Sequence, residues 1–391
     1  MRIDTRLSER IKKINPSATL AITSKANKLK AEGKDVVSFA AGEPDVDTPD
    51  VVKEAAIAAI HSGFTKYTPT TGIPDLKKAI AEKFKRDNGL AYETSQIVVS
   101  CGAKHSIFNT LFVLLNRSEE AIIPAPFWVS YPEMAHLCEA GVKFIKTTPE
   151  NNFKITPAEL ERHIHAKTKL LILNSPSNPT GCVYSKEELQ AIAAICVSQK
   201  IFVVSDEIYE KIIFDGQKHV SIGSLGKEIY DLTITVNGLS KSHSMTGWRI
   251  GYLGGPADIV EAIGKLQDHS TSNPTSIAQK AALAALQMPD AFSQTMCAEF
   301  EKRRNYIASR LDKMKKISYV KPQGAFYIFC SIAKTKLDSF TFAQRLLDEM
   351  LVAVIPGQSF GADTCIRISF ATGMQQIEKG MNRLDEFLKK L

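Results

Sequence analysis

Ser240-Lys241-Ser242-His243-Ser244-Met245-Thr246-Gly247-Trp248-Arg249-Ile250-Gly251 is the stretch from which both fold and chemistry are read. Lys241 follows an apolar run and stands eight residues before Arg249. A lysine amine condenses with a carbonyl when its surroundings lower its pKa enough to leave part of it neutral, and Arg249 is a charge placed to help. The guanidinium is permanently charged and forks two hydrogen bonds onto a phosphate. The pair therefore suits a cofactor bearing both an aldehyde and a phosphate, which is pyridoxal 5'-phosphate. Taken alone, such a pair is more often a solvated loop, so other positions must carry the assignment.

Outward from this stretch, residues 95–255 alternate short apolar or β-branched runs with amphipathic segments. Gln96–Ser100, Ala121–Pro124, Val142–Thr147, Leu170–Asn174, Ile201–Asp206 and Thr233–Val236 are expected strands, patterned for burial on both faces. Thr156-Pro157-Ala158-Glu159 and Ser185-Lys186-Glu187-Glu188 are capping boxes that open helices between them. Alternation of this kind predicts an α/β fold with a mostly parallel sheet. After about Pro289 the character changes, with a long charged helix through Arg303, Arg304 and Arg310, then shorter segments at Ala325–Phe329 and Ile366–Phe370. The expected division is an N-terminal segment, 1–45, packing with the small domain; a large cofactor-binding domain, 46–288; and a small α+β C-terminal domain, 289–391.

Composition excludes several functions. The chain has 391 residues, 44% of them hydrophobic, enough for a sizeable core. Its formal charge of +7 is spread without a basic block or a basic stripe interleaved with aromatics, which argues against a nucleic-acid partner. The seven cysteines (101, 138, 182, 196, 297, 330, 365) form no pair at metal or redox spacing, and read as reduced thiols of a cytoplasmic protein. Met1 to Lys13 mixes acids and bases, and no later run reaches ~18 apolar residues, so neither a secretory signal nor a membrane span is expected. His163 and His165 read as surface histidines on a helix without an acidic partner at zinc-like spacing, and no catalytic metal is expected.

The remaining candidates surround Lys241. Asp206 ends the run Ile201-Phe202-Val203-Val204-Ser205, at the carboxyl edge of a buried strand where open α/β sheets bind ligands. A carboxylate there keeps a pyridine nitrogen protonated, so that the ring accepts electrons. Tyr209, three residues on, and Asn178 in Asn174-Ser175-Pro176-Ser177-Asn178-Pro179-Thr180-Gly181 are placed to hydrogen-bond the cofactor's phenolate oxygen, although the latter run also reads as a plain turn. Ser100-Cys101-Gly102-Ala103-Lys104-His105 passes from strand to helix, so the Ala103 and Lys104 amides suit phosphate at a helix N-terminus. Trp128 offers a flat face to a pyridine ring, or is a core aromatic. Arg367 alternates with Ile366 and Ile368 and is able to grip a substrate carboxylate, the alternative being an edge-strand arginine facing water.

Together with Ala41-Gly42-Glu43-Pro44-Asp45 and Ser205-Asp206-Glu207-Ile208-Tyr209-Glu210, these motifs resemble the fold type I, class I pyridoxal-phosphate-dependent aminotransferases, essentially from end to end. Lys66-Tyr67, Phe127-Trp128-Val129-Ser130-Tyr131-Pro132 and Pro322-Gln323-Gly324-Ala325-Phe326-Tyr327 are most similar to the bacterial branch of aspartate aminotransferases. The resemblance implies that Lys241 carries the cofactor in Schiff-base linkage and shuttles the proton, that Asp206 pairs with the ring nitrogen, and that Asn178 and Tyr209 hold the phenolate oxygen. It further implies phosphate contacts from Ala103, Lys104, Ser240 and Arg249, stacking by Trp128, and a Tyr67 that reaches the phosphate across a homodimer interface. Substrate carboxylate would meet Arg367, Asn178 and the Gly42 amide, with Trp128 beside the substrate and Lys104 as the basic residue for a distal carboxylate. His243, Cys101 and Phe370 depart from the usual aromatic, glycine and tyrosine.

The activity so implied is ping-pong transfer of the amino group of L-aspartate to 2-oxoglutarate, between small amino-acid and 2-oxo-acid substrates; some relatives with the lysine at 104 also aminate prephenate. A carbon–sulfur lyase of the same fold is the alternative enzyme. A pyridoxal-binding regulator is the alternative from another class, but the chain has no spare length for a DNA-binding domain.

Overall fold

The computed structural model describes residues 7–14 and 18–391, so the proposed N-terminal segment lies partly outside the described residues. Seven strands form the large sheet in the order Ile97–Ser100, Gly251–Gly254, Thr233–Gly238, Phe202–Asp206, Thr168–Asn174, Glu120–Ala125 and Gly141–Lys146. Gly251–Gly254 runs antiparallel to both neighbours and the others are mutually parallel. Each of the six expected strands is present, with ends moved by one or two residues. Their side chains alternate between two apolar layers: Val98, Ile123, Ile172, Val204 and Val236 pack with Ile107, Leu111 and Ile259, whereas Ile122, Leu171 and Val203 pack with Leu189, Ile192 and Cys196. Burial of both faces is what makes the strands read as unbroken apolar runs.

The strand of this sheet that the sequence reading omitted is Gly251–Gly254. Four residues with glycine at both ends carry no β-branched pattern, and the glycines are there for close approach. A Cβ on Gly251 would lie 2.1 Å from the Ala103 nitrogen, and one on Gly254 2.5 Å from the Tyr92 ring. Both capping boxes are formed, Thr156 Oγ1 accepting from the Glu159 amide and Ser185 Oγ from the Glu188 amide, each at 3.2 Å.

A second, antiparallel sheet has the order Ile355–Pro356, Cys365–Ser369, Tyr327–Ser331, Ser318–Tyr319. Val37–Ser38 pairs in parallel with Val352–Ala353, and Val37 and Phe39 share a core with Ile366, Ile368 and Leu384. The long helix is Ala291–Leu311, and two of its charges turn inward. Arg304, with no exposed surface, meets Asp215 at 2.6 and 2.7 Å and lies 4.8 Å over the Phe214 ring, while Arg303 reaches Asp45 at 2.7 Å.

The placement of both histidines on a helix needs correction: His163 ends the helix Pro157–His163, and His165 lies beyond it, 3.1 Å from Glu120 of a strand far away in sequence. All seven cysteines are free thiols. Among the described residues no helix is long and apolar enough to cross a membrane.

Candidate active site

The parallel strands end on one side of the large sheet, where their carboxyl ends and the following loops open into a cavity of about 680 Å³. Asn174, Asp206 and the loop holding Ser240 and Lys241 come from this edge, and the second sheet with its flanking turn closes the cavity with Tyr327, Phe360 and Arg367. Lys241, Asp206, Tyr209, Asn178, Ser240 and Arg249 all line it. So do Gly42, Ala103, Lys104, Trp128 and Arg367. Tyr67 does not line the cavity; it is 92% exposed on a loop, because nothing in the same chain covers it.

Lys241 Nζ donates to the Gly42 carbonyl at 2.6 Å. Desolvation by the cavity wall lowers its pKa to about 8, helped by the Arg367 and Arg249 guanidinium groups, with Glu43 and Asp206 opposing. Asp206 is buried, and burial raises its carboxyl to about 6 in spite of hydrogen bonds from Tyr131 at 2.6 Å and the Ile208 amide at 3.3 Å. Its direct donors are neutral; Lys241 favours its charge through space, but no cation touches the carboxylate among the described residues.

The helix Ala103–Leu114 begins at the cavity with no side chain capping it, leaving its first amides and the positive end of its dipole toward the cavity. Arg249 crosses this turn, donating to the Thr246 and Cys101 carbonyls at 2.9 and 3.3 Å. Gly102, at φ +90°, leaves room for it: a Cβ there would stand 2.5 Å from Nη2. Lys104 Nζ lies 4.8 Å over the Trp128 ring, and burial, with Arg249 nearby, lowers its pKa.

Arg367 is buried, donating to Asn178 Oδ1 at 3.0 Å and to the Ala40 carbonyl at 3.1 Å, over the Tyr327 ring at 4.3 Å. Its Nε has no partner among the described residues. A permanently charged group so placed is not an edge-strand arginine facing water; it waits for an anion. Tyr209 shares a 2.9 Å hydrogen bond with Tyr327, and burial raises its phenol well above the usual range.

Three residues had no role in the sequence reading. Tyr131, quoted only inside a motif, holds Asp206. Tyr327 holds Tyr209 from the second sheet. Glu43 accepts from Thr246 Oγ1 at 2.7 Å on the cavity rim. Tyrosine hydroxyls find partners far away in sequence, so spacing carries no signal for them. His243 faces away from the cavity, bonded to Ser242 Oγ at 2.8 Å and stacked near Phe292, with burial lowering its pKa to about 4. A neutral imidazole takes the place of the usual aromatic.

The residues present fit pyridoxal phosphate: a desolvated amine, a buried carboxylate with no cation in contact, and an uncapped helix start beside a guanidinium. Comparison with known proteins agrees. The profile for "Aminotransferase class I and II" matches residues 34–384. The chain is 49% identical over 388 residues to an aspartate aminotransferase of Bacillus sp. (strain YM-2), covering 98% of this chain and 99% of that one. It is 43% identical over 392 residues to an aspartate/prephenate aminotransferase of Cereibacter sphaeroides, covering 97% and 98%. Among solved structures, the Thermus thermophilus aspartate aminotransferase with maleate superposes with a TM-score of 0.94 at 41% identity, covering 99% of this chain and 100% of that one.

Proposed function

Because the chain belongs to the class I and II aminotransferases, we propose that it transfers the amino group of L-aspartate to 2-oxoglutarate, with prephenate as a second acceptor. Pyridoxal 5'-phosphate is the cofactor; it supplies the aldehyde that takes the amino group and an electron-poor ring that withdraws the electrons left on the α-carbon.

The observation that carries the reading is Lys241: an amine with its pKa lowered to about 8, in one cavity with Asp206, Arg249 and Arg367. At pH 7 an amine of that pKa is ~10% neutral, enough for a nucleophile and proton carrier. Lys241 Nζ takes up the α-proton of the amino acid and later returns a proton to the product side. Asp206 would keep the cofactor's ring nitrogen protonated and gain a cation in contact. Tyr209 and Asn178 would donate to its phenolate oxygen. The Ala103 and Lys104 amides, Ser240 and Arg249 would hold its phosphate, and Trp128 would stack on its ring.

Arg367, with Asn178 and Gly42, holds the α-carboxylate, so one amino acid leaves as an oxo acid and the next binds in the same place. The Lys104 ammonium serves the distal carboxylate; a Thermus relative solved with maleate, a dicarboxylate, supports that choice. The catalytic part would span 46–288 and the small part 289–391, with which the stretch around Val37 and Phe39 packs. Tyr67 completes the site of a second copy in a homodimer, where exposed Val51, Ile57 and Ile60 on the helix Asp50–His61 would be covered. The free thiols support a cytoplasmic location.

Titration of the holoenzyme with L-aspartate alone tests the proposal. Loss of the cofactor's yellow absorbance with one oxaloacetate per site is the expected result; an unchanged spectrum refutes aspartate as donor.

A further inference from the structure

Behind Asp206 and Tyr209, on the side away from the cavity, lies a buried polar cluster that the reaction does not use. Glu207 and Glu210 point into it, both buried, with Lys83 and Asn88. Lys83 pairs with Glu210, and Asn88 Nδ2 bridges Glu207 at 3.0 Å and Glu210 at 2.7 Å. Glu207 also accepts from Ser205 Oγ and Ser221 Oγ, each at 2.7 Å, and its second oxygen meets His219 Nε2 at 2.8 Å. Glu207, Glu210 and His219 are spaced as metal ligands would be, but the Lys83 ammonium already supplies a cation there.

The cluster's charges decide its character. Lys83 offsets one carboxylate, and the other needs His219 in its protonated form. Four donors converge on Glu207: Asn88, Ser205, Ser221 and His219. Glu207 is the residue next to Asp206, whose carboxyl must stay ionised to hold the ring nitrogen. The charge of Glu207 raises the proton affinity of the adjacent, buried Asp206. His219 has its affinity for a proton raised by Glu207 and Glu210 and lowered by burial and Lys83. The other titratable group in reach of Glu207 is Tyr92, a neutral phenol bonded to Thr235.

We propose that His219 is a positioning residue for the cofactor site: as an imidazolium it neutralises Glu207 and so keeps the adjacent Asp206 ionised against the cofactor's ring nitrogen. Asp206 and Tyr209 face the cavity while Glu207 and Glu210 anchor the same segment from behind, so the pair acts on the site without touching its contents. This rests on the pyridoxal site described above but not on aspartate as substrate, and its test uses no amino acid.

The test is retention of pyridoxal phosphate by the holoenzyme across a pH series, measured by ultrafiltration and absorbance, for the unaltered protein, H219Q, and the double variant E207Q/H219Q. In H219Q both carboxylates and Lys83 remain but the compensating charge is gone. Its acid limb of cofactor release should move to higher pH by on the order of 0.5–1 unit. Adding E207Q removes the uncompensated anion and should bring the limb back. A purely structural role predicts that the double variant is at least as impaired as the single one. An unmoved limb in H219Q, or no recovery in the double variant, overturns the proposal. Should the double variant fail to accumulate, H219Q with its secondary structure intact decides the matter through its limb alone.

Discussion

Replacing Tyr131 by phenylalanine removes one hydroxyl and little else, since the ring stays edge-on to Trp128 at 5.3 Å between centroids. That hydroxyl donates to Asp206 Oδ2 at 2.6 Å, and without it the donor left to the carboxylate among the described residues is the Ile208 amide at 3.3 Å. A hydrogen bond to a charged group contributes ~1.5–3 kcal/mol. At 1.36 kcal/mol per pKa unit, its loss raises the Asp206 pKa by ~1–2 units. The direction follows because the bond stabilises only the ionised form. Burial already holds this carboxyl at about 6, so the variant has little margin below neutrality. The bound cofactor's ring nitrogen lowers the pKa in both proteins, which leaves the difference between them. The assay is kcat/KM for L-aspartate as a function of pH. We expect the acid limb to rise by ~1–2 pH units while the rate on the alkaline plateau changes little. Superimposable profiles would refute the claim that Tyr131 keeps Asp206 charged.

Four further outcomes follow from the geometry. K241A should lose at least ~10³ in kcat in steady-state assays with added cofactor, because the variant lacks the amine proposed as nucleophile and proton carrier. R367K should raise KM for aspartate by ~10–100-fold with a smaller change in kcat, since an ammonium cannot reproduce the forked contact. R304A should lower the stability measured by denaturant unfolding by ~2–4 kcal/mol; the loss is short of that for a wholly buried pair because Asp215 is partly solvated. G251A puts a methyl against the Ala103 nitrogen and should weaken cofactor binding by ~10-fold in equilibrium dialysis.

Much of the site was legible because it sits where strands stop. Lys241, Asp206 and the loop through Asn178 each follow an apolar run, and the carboxyl ends of parallel strands converge in space. Gly102-Ala103-Lys104 was legible for the same reason, a strand passing into a helix. The partners of these residues were not. Tyr131 meets Asp206 across 75 positions of chain and Tyr327 meets Tyr209 across 118, so only the fold brings them together. Gly251–Gly254 lacked every strand signal, because two of its residues are chosen for what they leave out. The helix Ala291–Leu311 looked charged and solvated, yet Arg304 is wholly inside, held by an aspartate and an aromatic ring from another part of the chain. Tyr67 stands as the residue that a single chain leaves without a purpose.

The pairing of Val37 with Val352 makes the order of synthesis a constraint on folding. Roughly three hundred residues separate the two strands, and at ~5–20 residues per second the first must wait ~15–60 s for the second to be made. During that interval Phe39 and its neighbours, wholly buried in the finished protein, are apolar chain without a place to go. The large sheet has all its strands by residue 254 and has no such delay. Nascent chains of this enzyme therefore pass through a stage in which the sheet is complete and the N-terminal segment is loose, and that stage is when chaperones or proteases would find it.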